Sequence, residues 1–388
     1  MQTVRCNSSV QTLLTLTLLA ALAGTPSEAR PCGALLHAET ADAAIDGQRA
    51  LVVWRQDTVD VHVQLKVTGS ADAAMWLLPV PTTPEMSVSS VEIFDALDQL
   101  STPIIELESP SAGDSGGGCL GSSDAAGGVN QSGGADGVVF SEGGTVGSYD
   151  YEIVLAPTAA VVIEHLNGKG FDVPAAWETE IGSYVDQDML FVAARLTDPV
   201  NTSTDALEPL VMTMPRPASS QMVYPLGIGR LSSSDVMPVR LYQLSDRRYR
   251  IVNYGSVSLD MLADRVRENW ANDGDPTVAT AFDQLTATSG GRLVVTEYAA
   301  DITRLELPTV LADLVDDSAF YLTRSYARPT RDALEDMLLS FASDAPDEDG
   351  YAEAPATSTS SLPMLLLAVL GWLGLVARRR HRHDLERP

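Results

Sequence analysis

The sequence predicts an α+β protein: a strand-rich body with several packed helices, plus a C-terminal transmembrane helix. Three observations carry that prediction. Short runs alternate apolar and polar residues with period two between breaks rich in Gly and Pro. Other segments place apolar residues at i, i+3, i+4 and i+7, which gives a helix one buried face. Both ends hold apolar runs, and the second is followed at once by arginines.

Residues 1–29 read as a secretory signal peptide. Arg5 supplies the positive start, Leu13 to Leu22 the apolar centre, and Ser27-Glu28-Ala29 the small residues at the cleavage positions. The run is too short to cross a bilayer, and Cys6 precedes it, which argues against a lipoprotein. The mature chain is expected to begin near Arg30.

The body is expected to span 30–342. Val59, Val61, Val63, Leu65 and Val67 alternate with Asp60, His62, Gln64 and Lys66, the signature of a half-buried strand. On that pattern His62 lies on a solvated face. Ala74 to Pro81 is a buried strand and Val91 to Leu100 a short helix. Residues 109–148 then read as a flexible loop, since thirteen of these forty are Gly and eight are Ser. Such a segment has too little to bury to offset the entropy of ordering.

Inside that loop stands Gly113-Asp114-Ser115-Gly116-Gly117, the surroundings of a chymotrypsin-like nucleophile. That chemistry needs a rigid turn plus an upstream His and Asp. The upstream histidines, His37 and His62, lack the Ala-Ala-His-Cys context. Ser115 is therefore expected to be inert.

From Tyr149 the strand pattern returns. Pro157 opens a helix with Ala159, Val162, Ile163 and Leu166 on one face, leaving His165 to solvent. Strands follow at Met189 to Leu196, Leu207 to Pro215, Met222 to Gly229 and Pro238 to Leu244. Ser258 caps a helix that turns Leu259, Leu262, Val266 and Trp270 inward. Asp275-Pro276 starts another, with Val278, Ala281, Phe282 and Leu285 inward. Strands at Gly291 to Ala300 and Phe320 to Ala327 flank a helix at Leu307 to Leu314. A last helix carries Leu334, Met337, Leu338 and Phe341.

Residues 343–361, rich in Asp, Pro, Ser and Thr, read as a stalk, and 362–377 as the membrane helix. Sixteen residues make only ~24 Å of helix against a ~30 Å hydrocarbon core; Trp372 and snorkelling arginines cover the rest. The basic tail, 378–388, places the C-terminus in the cytoplasm. The expected topology is a single-pass anchor with the body outside, in the periplasm or at the cell surface.

The expected exported part holds 19 basic and 49 acidic residues, a balance of −30, with Lys66 and Lys169 its only lysines. That charge excludes nucleic acid and anionic membrane surfaces as partners. Two Asp/Gly stretches, Asp344 to Ala354 and Asn272 to Asp275, miss the ligand spacing of a calcium loop, and no metal or cofactor is expected. After export only Cys32 and Cys119 remain. In an oxidising compartment an even pair is more often a disulfide than two free thiols, so that bridge is the expectation.

Nine blocks stand in order along 31–342: "PCG", "WLLPVP", "GSYDYEIVLAP", "LNGKGFDVP", "YVDQDMLFVAARL", "EPLVMTMP", "YPLGIG", "VTEYAA" and "YLTRSYARPTRDALEDM". Together they resemble the bacterial family catalogued as domain of unknown function 2330. The resemblance implies an exported, often anchored bacterial protein with no assigned activity, and it offers no catalytic residues. Relatives tend to carry another cysteine soon after the Cys-Gly pair, where this chain has Leu35, Leu36 and His37.

Function is therefore read as a non-enzymatic binding or structural module of the envelope, its partner an envelope protein or a glycan. The alternative is an envelope hydrolase with carboxylate-based chemistry. His37, His62 and His165 stand in no hydrolase motif, whereas 49 acids leave paired-carboxylate chemistry open. Converging Asp and Glu in a deep pocket favour the enzyme; a flat apolar patch favours binding.

Overall fold

The computed structural model describes residues 34–36, 43–69, 74–107, 139–197, 207–219, 221–233, 235–275, 277–342 and 346–354. Eight strands form the largest sheet. In spatial order they are β14 (Gly255–Val257), β15 (Leu293–Asp301), β16 (Tyr321–Ala327), β12 (Val239–Ser245), β2 (Ala43–Trp54), β3 (Thr58–Gly69), β10 (Leu210–Pro215) and β5 (Glu85–Val88). Pairing is antiparallel except for β12 with β2 and β14 with β15. A five-stranded antiparallel sheet has the order β1 (Ala34–Leu36), β4 (Met75–Val80), β9 (Leu190–Leu196), β8 (Tyr149–Leu155) and β7 (Val139–Val146). A smaller sheet sets β17 (Met337–Phe341) between β11 (Gln221–Tyr224) and β13 (Tyr249–Ile251).

The sheets and helices stack as four layers, helix on sheet on sheet on helix. The central layer fills with Trp54, Val61, Val63 and Leu241 of the large sheet against Trp76, Leu78, Ile153 and Val192 of the five-stranded one. The small sheet contributes Tyr249, Met337 and Leu339, and Tyr249 stacks on Trp54 at 4.4 Å. Outside the five-stranded sheet, Leu77, Phe191 and Ala193 meet α2 (Ala159–Gly168) and α3 (Glu178–Val185). Outside the large sheet, Leu51, Val53, Tyr242 and Leu322 meet α1 (Glu92–Ser101) and α6 (Thr309–Ala312). Farther along that face α4 (Leu259–Asp273) and α5 (Val278–Thr288) cover Leu293 and Val295.

Local chemistry explains the element ends. Ser258 Oγ accepts the Met261 amide at 3.2 Å and caps α4, as the sequence predicts, and Gly274 closes it at φ +72°. In β2, Ala50 to Trp54 is buried without alternation, because helices cover one face and the inner sheets the other.

The same double cover corrects the reading of two histidines. His62 is only 5 % exposed, since the polar face of β3 lies in the interior, with Ser89 Oγ 3.0 Å from its Nδ1. His165 is equally buried and turned toward Glu152 of β8, not toward solvent. Helix α2 presents His165 with Val162 and Leu166, while Ile163 is only half-buried.

Other expectations are also revised. The last helix is strand β17: Met337, Leu339 and Phe341 alternate as well as Leu334, Met337, Leu338 and Phe341 fit a helix, and pairing with β11 and β13 decides. Part of the Gly/Ser segment, 139–146, is edge strand β7, whose backbone bonds to β8 need no side-chain burial. The helix at Leu307 to Leu314 shortens to α6, and β11 ends at Tyr224, before a 3-10 turn at Gly227–Leu231. Trp270 is half-buried and Val278 exposed.

The expected stalk begins inside the body. Within 346–354, Glu348 exchanges backbone bonds with Ala299 at 2.8 and 2.9 Å. Strand β18 (Tyr351–Ala354) then pairs in parallel with β6 (Ile104–Leu107), and Ala352 is buried against α4. Among the described residues no helix is long and apolar enough to cross a membrane. The predicted span 362–377, the signal 1–29 and the tail 378–388 lie outside them.

A buried ionic network fastens α1 to the large sheet. Arg324 of β16, 2 % exposed, gives Nε to Glu297 Oε2 at 2.6 Å. One terminal nitrogen lies 3.2 Å from Asp98 Oδ1 and 3.0 Å from Thr102 Oγ1. Asp98 also pairs with Arg49 at 3.1 Å and Arg240 at 3.4 Å, and takes the Tyr242 hydroxyl at 2.6 Å.

Candidate functional site

Asp336 sits in the turn that enters β17, and three distant segments converge on it. Its Oδ1 accepts the Gly227 amide at 2.7 Å and the Tyr184 hydroxyl at 2.7 Å. Tyr184 comes from the buried face of α3, set edge-on to Phe191. Gly227 opens the 3-10 turn after β11, and only glycine fits there. A Cβ would stand 2.9 Å from Asp336 Oδ1 and 3.0 Å from the Tyr184 hydroxyl oxygen. Asn253 fixes the strand from the other side, giving Nδ2 to the Asp336 carbonyl at 2.7 Å and accepting the Leu338 amide at 2.8 Å.

These residues wall a groove of about 410 Å³. Glu180, one turn before Tyr184 on α3, faces it and meets Arg230 at 3.3 Å; Arg230 also bonds the Leu334 carbonyl. Ser183 and Gln187 continue the polar wall, and Val223 with Leu338 forms an apolar one. Burial pushes the Asp336 carboxyl above its ordinary range, against the pull of the Tyr184 and Gly227 hydrogen bonds. Burial also raises Glu180, opposed by Arg230 and reinforced by Asp336. Tyr184 is raised by the same desolvation and by Asp336, so it stays a hydroxyl donor. The groove thus offers donors, acceptors and a short apolar strip side by side.

The residues the sequence singled out lie elsewhere. Cys32, Cys119, Ser115 and His37 fall outside the described residues. His62 is buried beside Ser89, and His165 with Lys169 encloses Glu152 at 3.1 and 2.7 Å. No group of three or more His, Cys, Asp or Glu side chains suited to a metal ion occurs among the described residues. Sequence reasoning missed Tyr184, Gly227 and Asp336 as a set, although each stands in one of the quoted blocks. The signal was the glycine of "YPLGIG", a position without a side chain beside a buried acid.

The fold and groove define a four-layer α+β body with an acidic, partly apolar cleft at the junction of helix α3 and the small sheet. The chain belongs to the family described as an uncharacterized protein conserved in bacteria, domain of unknown function 2330, whose model matches residues 26–338. No curated protein and no solved structure matches it.

Proposed function

We propose that this is an exported envelope protein held by a single-pass anchor, and that its body is a binding module for a hydroxyl-rich envelope glycan. The observation that carries the reading is the groove around Asp336. Asp336 and Glu180 are each held by protein donors at one carboxylate oxygen and keep the other for a ligand hydroxyl, beside a polar wall of Ser183, Gln187 and Asn253. Val223 and Leu338 give the apolar strip that the less polar face of a sugar ring covers. The signal, the span 362–377 and the arginines after it support the topology.

Retention on isolated cell-wall polysaccharide and on peptidoglycan tests the binding reading. Wild type should be retained, and Glu180→Gln should weaken retention about tenfold, the loss of one charged hydrogen bond. Undiminished retention would overturn the groove. A second reading, carboxylate-based hydrolysis, is favoured by the shared upward displacement of Asp336 and Glu180. Release of reducing ends by wild type but not by Glu180→Gln would move the assignment there.

Topology has its own test. Protease applied to intact spheroplasts should digest the body and spare the tail. A protected body would refute the outward orientation.

A further inference from the structure

A second cavity, of about 260 Å³, opens on the outer face of the five-stranded sheet beyond the C-terminal end of α2. Its apolar lining is Met75, Phe171 and Ala193. Its charged lining is Asp150 and Glu152 of β8, Arg195 of β9 and Lys169 at the end of α2.

The four charges are not equivalent. Glu152 is neutralised locally, by Lys169 Nζ at 2.7 Å and with His165 Nε2 at 3.1 Å. Asp150 accepts only a hydroxyl, that of Thr145 at 2.6 Å. Arg195 stands directly across from Asp150 in the β8–β9 register, with Met75 on its other side. Opposite charges at such positions ordinarily close into a pair. Here no ion pair forms, and among the described residues the Arg195 side chain makes no hydrogen bond. A guanidinium stays charged at every relevant pH and matches a carboxylate with two parallel donors. The cavity therefore holds one cation and one anion apart, next to an apolar surface.

From this juxtaposition we propose that the cavity binds a free α-amino acid with an apolar side chain. The ligand carboxylate accepts from Arg195, its ammonium donates to Asp150, and its side chain covers Met75, Phe171 and Ala193. A zwitterion carries no net charge, so the strongly acidic surface does not repel it as it would a simple anion. The site is separate from the groove at Asp336 and does not depend on its reading.

Calorimetry on the purified full chain tests this with three probes of one side chain: L-leucine, N-acetyl-L-leucine and L-leucinamide. Leucine should bind saturably, and both derivatives, each lacking one charge, about tenfold or more weaker. Arg195→Gln should abolish the preference for leucine over leucinamide, by weakening leucine and N-acetyl-leucine, and Asp150→Asn the preference for leucine over N-acetyl-leucine, by weakening leucine and leucinamide. Both are surface-facing changes, and unaltered thermal unfolding of the variants confirms that they fold. Equal binding of leucine and N-acetyl-leucine, or leucine binding undiminished by Arg195→Gln, overturns the proposal. So does the absence of saturable leucine binding by wild type.

Discussion

Arg324→Ala should destabilise the body by about 3–5 kcal/mol, the cost of stranding buried charge after one partner of an ion pair is removed. Arg324 is fully enclosed, and two acids depend on it. Glu297 loses its 2.6 Å bond, and Asp98 loses one of three arginines. Burial pushes the Glu297 carboxyl up, and Arg324 is the chief group working against that. Without it only Arg240 opposes that upward push, and the end of α1 loses the bond to Thr102. Denaturant unfolding reads the effect. Arg324→Met combined with Glu297→Gln should recover much of the loss, because neither charge is then left alone. A cost below about 1 kcal/mol for Arg324→Ala would show that water reaches this network.

The second large effect is a loss of stability in mild acid. Burial lowers the His62 imidazole from 6.5 to about 4, partly offset by Asp60 and reinforced by Arg55. Below pH 6.5 the unfolded chain binds a proton that the folded chain refuses. Stability from this residue is therefore whole above about pH 6.5 and declines as pH falls toward 4. At roughly 1.4 kcal/mol per pH unit the gap corresponds to about 3 kcal/mol. His62→Gln, which keeps a polar group beside Ser89, should remove that component. The test compares the unfolding free energy of wild type and variant at pH 7 and pH 4.5. If the two lose the same amount, His62 is not the group responsible.

Strands and helices with one clear period were legible in the sequence. The alternation in β3, the buried run of β4 and the Ser258 cap of α4 all stand where expected. What one sequence does not carry is whether a polar face is covered. The pattern around His62 is that of a half-exposed strand, and only its packing in the folded chain, beside Ser89, buries it. Residues 334–341 fit both periods, so the neighbours available for pairing decided between helix and strand. The groove was illegible for another reason. Its hydrogen bonds join Asp336 to residues 152 and 109 positions away, and no local pattern announces contacts of that span.

The parallel pairing of β18 with β6 has a mechanical consequence. Both strands run the same way, so the chain leaving Ala354 departs from the same edge as the chain leaving Leu107. Tension applied downstream of Ala354 along the strand axis slides β18 past β6. Four register pairs, Tyr351 with Ile104 through Ala354 with Leu107, then resist together instead of parting one after another. Behind them the Glu348 bonds to Ala299 take up whatever load passes through. A pull transmitted through the proposed anchor would thus meet a shear clamp before it reached the central sheets.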